Sequence, residues 1–296
     1  MDKVQQLQLY VRIVDGGSFF QAARDLGIAR STATNAIKQL ELETGVQLLA
    51  RTTRAVKATP EGEEFYRRAR AVLGDIEDTW TVFRKAAPGG HLRINASGLM
   101  TRTFLVPRLP AFLQRYPDIV ITFGQTDRFV NLVREGVDCV IRVGVPEDSS
   151  LRLRRLGTLQ EITCASPTYL AKHGTPYSID DLDGHKMVGF VSSQTGDVMP
   201  LEFVRDGRSE IRLLPAQVMT DNSDTAGALA AEGLGLIQAP RYRFEEQLQR
   251  GELVEVLAGY PPTPMQVNAI YAGERQASRR LDVFLNWVSE IFAEAL

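Results

Sequence analysis

The sequence predicts a multidomain chain with an all-α N-terminal head that ends in a basic hairpin, one long connecting helix, and a large α/β region. Three observations lead to this prediction. Three short amphipathic patterns fill residues 1–44, a single apolar stripe continues from Phe65 to Phe83, and strand and helix patterns alternate from Leu92 onward. A chain of 296 residues is long enough for about two domains.

The first two helices of the head are delimited by local signals. Apolar residues at helical spacing predict the first helix, which ends at Gly16 and Gly17; they are Val4, Leu7, Val11 and Val14. The second helix is predicted to begin at Ser18, which forms an S-x-x-Q capping box with Gln21. Gly27 then permits a sharp turn before the third helix.

The third helix has two chemically different faces. Ala33, Ile37 and Leu40 share an apolar face, whereas the opposite face is polar and free of carboxylates: Ser31, Thr34, Asn35 and Lys38. This arrangement fits a helix-turn-helix motif formed by the second and third helices of the chain. In this motif the later helix, here the third, enters the DNA major groove. An ordinary amphipathic helix with a solvated face remains the alternative on spacing alone.

A basic hairpin follows the third helix. The segment from Gln47 to Ala58 is compatible with two short strands and carries Arg51, Arg54 and Lys57. Guanidinium and ammonium groups at this place could hold phosphates beside the groove, as in the winged variant of the motif.

The run from Ser18 to Gly62 resembles the N-terminal domain of LysR-type transcriptional regulators. That family follows the patterns S-F-x-x-A-A-x-x-L, S-x-x-S-x-x-I-x-x-L-E, L-G-x-x-L-F-x-R-x-x-R and T-x-x-G. The matching positions are Ser18, Phe19, Ala22, Ala23, Leu26, Ser31, Ile37, Leu40, Glu41, Gly45, Leu48, Arg51, Arg54, Thr59 and Gly62.

Three positions depart from the family pattern. Ala29 replaces the usual Ser at the start of the third helix, which removes about 1 kcal/mol of capping. Thr34 replaces Ser and keeps the hydroxyl. Asn35 stands where many members carry Arg, and because Asn pairs with adenine whereas Arg pairs with guanine, we expect a different preferred base there.

The resemblance implies a transcriptional regulator that binds double-stranded DNA at an inverted-repeat operator as a homodimer or homotetramer. It implies RNA polymerase as a further partner, and neither a cofactor nor an enzymatic activity. Base contacts are then assigned to Arg30, Ser31, Thr34, Asn35 and Lys38. Phosphate contacts are assigned to Arg51, Thr53 and Arg54, with one more from Ser18 at the start of the second helix.

The connecting helix is predicted within residues 59–87, with Thr59 as N-cap and Pro60 in the first turn. Its apolar stripe consists of Phe65, Ala69, Val72, Ile76, Trp80 and Phe83. The stripe can pack on its own chain or on the same helix of a second subunit. The near-heptad spacing favours the second subunit and therefore predicts a dimer.

Residues 88–296 predict an α/β domain with largely parallel sheets, and the pattern leaves open one doubly wound sheet or two smaller sheets. The resemblance implies two lobes like those of periplasmic solute-binding proteins. Lobe I then comprises residues 88–162 and 267–296, and lobe II comprises residues 163–266. The head comprises residues 1–58.

The resemblance also implies that a small-molecule effector binds between the lobes. Helix N-terminal amides and hydroxyls at strand ends suit a small anion such as a carboxylate. The candidate contacts are Ser97, Met100, Thr101, Gln125, Arg142, Phe190, Asp221 and Ser223. Arg142 could equally form a structural ion pair, and Asp221 could be a capping group. A solute-binding module without a DNA role would explain residues 88–296 but not the head.

The distribution of charge agrees with this division. The whole chain has 34 Lys and Arg against 36 Asp and Glu, which is a formal net charge of −2. This balance excludes a protein that is strongly basic over its whole length. Residues 1–58 carry eight basic and five acidic side chains, a net charge of +3, which leaves −5 on the remainder. No cleavable leader and no run of 18 apolar residues is apparent, so we expect a cytoplasmic protein without membrane segments.

The cysteines and histidines predict no catalytic or metal centre. Cys139 and Cys164 lie in strand-like apolar surroundings, which favours two buried unreactive thiols over a redox-sensing pair. His91, His173 and His185 all adjoin glycines, which predicts surface loops. Because no nucleophile, phosphate-binding or zinc motif occurs, an enzyme is not favoured.

Overall fold

The computed structural model describes residues 1–51, 56–84, 87–128, 130, 132–144, 151–272 and 278–295. The head and connecting helix comprise, in order, α1 (Lys3–Gly16), α2 (Phe19–Asp25), α3 (Arg30–Thr44), β1 (Leu49–Arg51), β2 (Val56–Ala58) and α4 (Pro60–Arg84). Strands β1 and β2 pair antiparallel, with Leu49 opposite Ala58. The predicted winged helix-turn-helix head and long helix are confirmed.

The first part of the α/β region is built on a helix-flanked sheet. Its elements are β3 (Gly90–Ala96), α5 (Gly98–Met100), a π-helical turn (Thr101–Leu105), a 3-10 turn (Val106–Arg108), α6 (Leu109–Arg115), β4 (Ile119–Gln125), α7 (Leu132–Glu135), β5 (Cys139–Val143) and β6 (Leu151–Leu159).

The remaining elements form a second group of sheets and then return to the first sheet. They are β7 (Glu161–Ala165), α8 (Pro167–His173), a 3-10 turn (Ile179–Leu182), β8 (Gly189–Val191), β9 (Val198–Met199), β10 (Leu201–Arg205), β11 (Arg208–Arg212), β12 (Met219–Thr220), α9 (Ser223–Ala231), β13 (Ile237–Pro240), a 3-10 turn (Arg241–Arg243), α10 (Glu245–Gln249), β14 (Val254–Val256), β15 (Met265–Ala272) and α11 (Arg279–Ala295).

Two lobes result from this strand order. The first lobe contains a five-stranded sheet in the order β4-β3-β5-β15-β6, and the second contains the three-stranded sheets β13-β7-β14 and β12-β8-β9 with the hairpin β10-β11. The chain changes lobe between Leu159 and Glu161, and again between Val256 and Met265. The two-lobed α/β class is therefore confirmed.

The sheets are mixed, so the expectation of largely parallel sheets was wrong. Strand β3 is parallel to β4 and β5, but β15 is antiparallel to both β5 and β6, and β7 is antiparallel to β13 and β14. A strand that returns from the other lobe, with no crossover helix on the sheet, is free to enter antiparallel.

Helix α1 is rotated relative to the face that its valines predict. Its buried residues are Gln6, Leu9, Tyr10 and Ile13, whereas Val4, Leu7, Val11 and Val14 are only partly buried. Both sets recur at helical spacing, and the packing of Tyr10 against α4 selects the buried one.

The helix starts follow the predicted caps with one exception. Ser18 accepts a hydrogen bond from the Gln21 amide at 3.3 Å, but the Gln21 side chain donates to Asp25 at 2.7 Å, so the expected reciprocal capping box is not formed. Ala29 supplies no side-chain cap to α3, as expected. Thr59 accepts from the Gly62 amide at 2.9 Å and so caps α4.

The first part of the apolar stripe of α4 packs within the chain. Ala69 is buried, and the ring of Phe65 contacts that of Tyr10 at 5.2 Å between centroids. Val72, in contrast, is 45% exposed. The side chains of Trp80 and Phe83 lie outside the described residues, so the prediction that a second subunit covers the stripe applies from Val72 onward.

The two cysteines and His185 are buried, and His91 lies half-buried in a strand. Cys139 and Cys164 are buried free thiols, and burial raises the pKa of each. His185 is buried against Tyr169, with 3.1 Å between its Nδ1 and the phenol oxygen, and His91 lies within β3. The prediction of surface loops was therefore wrong for these two histidines.

Candidate DNA-binding surface and effector cavity

Helix α3 presents one polar face to solvent. Ala33, Ala36, Ile37 and Leu40 are buried in the head, and the predicted base-reading residues lie on the other side at positions i, i+1, i+4, i+5 and i+8: Arg30, Ser31, Thr34, Asn35 and Lys38. Four of the five are exposed and Thr34 is half-buried. Among the described residues, none of the five has a side-chain hydrogen bond or ion pair, so their donors are available to a ligand.

The predicted phosphate contacts are only partly described. Ser18 is half-buried at the start of α2 and uses its hydroxyl as a cap acceptor. The backbone of Arg51 ends β1, but its side chain lies outside the described residues, as do Thr53 and Arg54 entirely.

Glu41 fixes the hairpin to α3, a role that we did not predict from the sequence. Its Oε1 accepts hydrogen bonds from the amides of Leu48 and Leu49 at 2.9 and 3.0 Å. Leu48 directly precedes β1 and Leu49 is its first residue, so a carboxylate on α3 supplies the acceptor for the amides at the start of the hairpin. The only signal in the sequence is the position of this acid at the end of the polar face.

A cavity of about 450 Å³ lies between the two lobes, a volume that accommodates a small metabolite. Strand ends and helix starts of both lobes contribute polar groups to it: Ser97, Thr126, Asp127, Arg142, Glu161, Ser192, Ser193, Gln194, Glu202, Ser223, Gln238 and Arg243. The apolar lining includes Met100, Ile141, Val188, Phe190, Leu201, Ile237 and Met265.

The structure brings five of the eight candidate effector contacts to this cavity: Ser97, Met100, Arg142, Phe190 and Ser223. Three do not line it. Thr101 is 1% exposed and donates to the Ser97 carbonyl at 3.0 Å. Gln125 and Asp221 are exposed outside it, and Asn222 rather than Asp221 caps α9 by accepting from the Thr225 amide.

Arg142 projects its guanidinium toward the end of β4. Its Nη2 donates to the carbonyls of Asp127 and Arg128 at 3.4 and 2.8 Å. Burial lowers the pKa of this group, while the charge of Asp127 raises it. The side chain is therefore a positive group oriented by main-chain acceptors in the cavity wall.

Asp127 joins the lobes across the cavity. Its Oδ2 accepts from the Ser223 amide at 2.9 Å, and its Oδ1 lies 3.8 Å from Nη2 of Arg243. Arg243, whose side chain is 9% exposed, also donates to Ser97 at 3.2 Å and lies 3.5 Å from Asp224. The sequence could not show this cluster, because its members lie far apart along the chain.

Two possible features are not found in the described part of the chain. No helix there has the length and hydrophobicity needed to span a bilayer. No group of three or more His, Cys, Asp or Glu residues is placed to hold a metal ion.

A helix-turn-helix head joined to a two-lobed domain with a metabolite-sized cavity defines a class of ligand-responsive DNA-binding regulators. Residues 4–63 match the family model for the bacterial regulatory helix-turn-helix protein of the lysR family, and residues 85–293 match that for the LysR substrate binding domain. The chain belongs to the LysR-type family of transcriptional regulators, which bind DNA and respond to an effector.

Similar proteins span the whole chain. The uncharacterized HTH-type regulator YhjC of Escherichia coli is 35% identical over 300 residues and covers 100% of both chains, and the regulator CrgA of Neisseria meningitidis is 31% identical, covering 97% of this chain and 96% of its own. The solved structure of CrgA covers 99% of both chains with a TM-score of 0.61 at 29% identity. The Vibrio cholerae virulence activator AphB gives a TM-score of 0.56 at 25% identity, covering 97% of this chain and 98% of AphB.

Proposed function

We propose that α3 reads an operator sequence through the major groove and that the hairpin anchors the adjacent backbone. The observation that carries this proposal is the exposed, carboxylate-free face of α3, whose side chains have no partners among the described residues. Base contacts come from Arg30, Ser31, Thr34, Asn35 and Lys38, and phosphate contacts come from Arg51, Thr53, Arg54 and Ser18.

Dimerisation through the exposed part of α4 would place two heads on one duplex. Because the two heads are related by a two-fold axis, the operator is an inverted repeat with half-sites about one helical turn, or a multiple of it, apart. A homodimer that assembles further into a homotetramer, working in the cytoplasm with RNA polymerase as a partner, completes the proposal. The proposed domain limits are residues 1–58, 59–87 and 88–296.

The effector in the cavity is proposed to be a small molecule with an anionic group. Arg142 supplies positive charge from the first lobe, and the start of α9 at Ser223 supplies main-chain amides from the second. A ligand that prefers one arrangement of the lobes shifts the equilibrium between two assemblies on DNA. The link to α4 runs through residues 86–90, of which Ala86 lies outside the described residues.

Two substitutions separate base reading from phosphate anchoring. Asn35→Ala should cost about 1–3 kcal/mol on the selected operator and little on random duplex, whereas Arg54→Ala should weaken both and lower the salt dependence of binding. Gln39→Ala, an exposed polar residue of α3 to which no base contact is assigned, is the matched control. Titration of labelled duplexes at several salt concentrations measures all three variants. Equal losses for Asn35→Ala on both duplexes would contradict its assignment to base reading.

A further inference from the structure

The cavity presents charges of opposite sign on its two sides. Arg142 lies on β5 in the five-stranded sheet of the first lobe, whereas Glu161 and Glu202 lie on β7 and β10 of the second lobe. Apolar side chains supply much of the remaining lining, including Met100, Ile141 and Phe190. A molecule that fills the cavity therefore meets a guanidinium on one side and two carboxyl groups on the other.

The second arginine of the cavity is already neutralised by the protein. Arg243 lies 3.8 Å from Asp127 and 3.5 Å from Asp224, which also pairs with Arg102 at 3.3 Å, so its guanidinium is already engaged by carboxylates of the protein. It acts on Glu161 only through space, since no ion pair joins the two residues. The acidic side of the cavity therefore keeps its negative character.

Glu202 is held in place by two hydroxyl donors. Ser209 and Thr263 donate to its Oε1 at 2.8 and 2.7 Å. The main chain of Glu202 is also fixed, because its amide donates to the Gln238 side chain at 2.8 Å.

Glu161 is the group that lacks a partner. Within the described residues, no hydrogen bond or ion pair is made by its carboxyl group, although the residue lines the cavity and is half-buried. Burial, and next the charge of Glu202, raise the pKa of Glu161 to about 7, and Arg243 acts in the opposite direction. A carboxyl group kept in this position without a partner costs free energy that a cationic ligand would recover.

We propose that the effector is a zwitterionic small molecule, whose carboxylate binds at Arg142 and whose protonated amine binds at Glu161 and Glu202. This inference rests on the proposed effector role of the cavity and adds the ligand class. An ammonium group offers three donors and a positive charge, which together satisfy the unpartnered carboxyl group and its neighbour. A simple carboxylate would satisfy Arg142 but leave Glu161 unpaired, and would add a third negative charge.

Matched sets of probes test the ligand class on the full-length protein. Each set contains an α-amino acid, the same skeleton without the amine, and the same skeleton without the carboxylate: L-leucine, 4-methylpentanoate and 3-methylbutylamine, and L-phenylalanine, 3-phenylpropanoate and 2-phenylethylamine. Calorimetry and thermal shift measure binding, and operator titration measures its effect on DNA affinity. We expect at least one amino acid to bind and to change operator affinity, with both analogues weaker by about tenfold or more.

The outcomes separate this inference from the proposed function. If the carboxylic acids bind as tightly as the amino acids and Arg142→Gln abolishes their binding, the cavity binds an anionic effector and the zwitterion proposal is wrong. Tight binding by the amines alone would contradict it equally. If no probe binds or changes operator affinity, both the zwitterion proposal and the effector role of the cavity fail.

A pH series with Glu161→Gln tests the proposed amine contact. Between pH 6 and 8 the ionised fraction of a group with a pKa near 7 rises about tenfold, so amino-acid affinity should rise by up to that factor in the unaltered protein and stay flat in the variant. The charged groups that act on Glu161 are Glu202, which raises its pKa, and Arg243, which lowers it.

The matched control is Glu246→Gln, which removes an exposed acid of α10 that pairs with Arg250 on the surface. It should behave as the unaltered protein at every pH. Affinity that tightens as the pH falls, or that does not depend on Glu161, would overturn the amine assignment.

Discussion

The hydroxyl of Tyr10 in α1 donates a hydrogen bond to the Gly62 carbonyl in the first turn of α4, at 2.9 Å. Tyr10 is fully buried, and burial raises its pKa, so the phenol stays protonated and remains a donor. A Cβ on Gly62 would lie 2.0 Å from the Leu48 carbonyl oxygen and 2.8 Å from the Tyr10 hydroxyl. The first turn of the connecting helix is thus packed tightly against the head.

Gly62→Ala should destabilise the head by about 1–3 kcal/mol or more, because the added methyl meets backbone that cannot move aside. Gly16→Ala is the matched control, since nothing lies within 4 Å of its added Cβ. Tyr10→Phe should cost about 1 kcal/mol through the lost hydrogen bond. Urea unfolding, with hydrogen exchange at the α1 amides, measures these changes. Equal stability of the two alanine variants would contradict the close contact.

His91 makes stability depend on pH. It lies between Arg70 of α4, which contacts its Nδ1, and Thr122 of β4, whose hydroxyl is 2.7 Å from its Nε2. Burial, followed by the charges of Arg70 and Arg93, lowers its pKa in the folded state. The unfolded chain therefore binds the proton more readily, and the stability contributed by neutral His91 is present above pH 6.5 and is lost as the pH falls below it.

We expect the unfolding free energy to fall between pH 7.5 and 5.5, and to fall less in His91→Gln. Burial also lowers the pKa of His185, so part of the dependence should remain in that variant. His173→Gln, at the exposed end of α8, removes a side chain that acts on His185 and should leave the His91 part of the dependence intact. Chemical denaturation at each pH measures the effect, and an identical pH dependence with and without His91 would refute it.

Glu41→Ala should weaken the hairpin, because the Leu48 and Leu49 amides lose their shared acceptor. The expected loss is about 1–3 kcal/mol in stability, with faster hydrogen exchange at both amides. Glu41→Gln retains an acceptor and should cost less. Glu43→Ala removes an exposed acid that accepts from Gln39 and serves as control. Unchanged exchange at Leu48 and Leu49 in the Glu41→Ala variant would exclude this role.

Asp127→Ala should open the lobes in the absence of effector. It removes the acceptor of the Ser223 amide and one of the two carboxylates that balance Arg243. Hydrogen exchange at the start of α9 should accelerate, whereas Asp118→Ala, an exposed acid in the turn before β4, should leave it unchanged. Protection of α9 that survives Asp127→Ala would show that the lobes are held together by other contacts.

Features that depend on neighbouring residues could be predicted from the sequence. The apolar spacing of Ala33, Ile37 and Leu40 gave the orientation of α3, and the dipeptide Asp206-Gly207, typical of two-residue turns, connects β10 to β11 with positive φ at both residues. The rotation of α1 could not be predicted in this way. Two stripes at helical spacing compete there, and only contact with α4 distinguishes them.

The sequence by itself determined the winged head, the polar face of α3, the limits of α4 and the alternation of strands and helices, because caps, turns and hydrophobic periods act over a few residues. Only the tertiary structure decided which groups meet in the cavity. Asp127 and Ser223 are 96 residues apart, and Ser97 and Arg243 are 146 apart. Such contacts form only after the two lobes have folded and closed on each other. No pattern of neighbouring residues in the sequence therefore indicates these contacts or the unpartnered carboxyl group of Glu161.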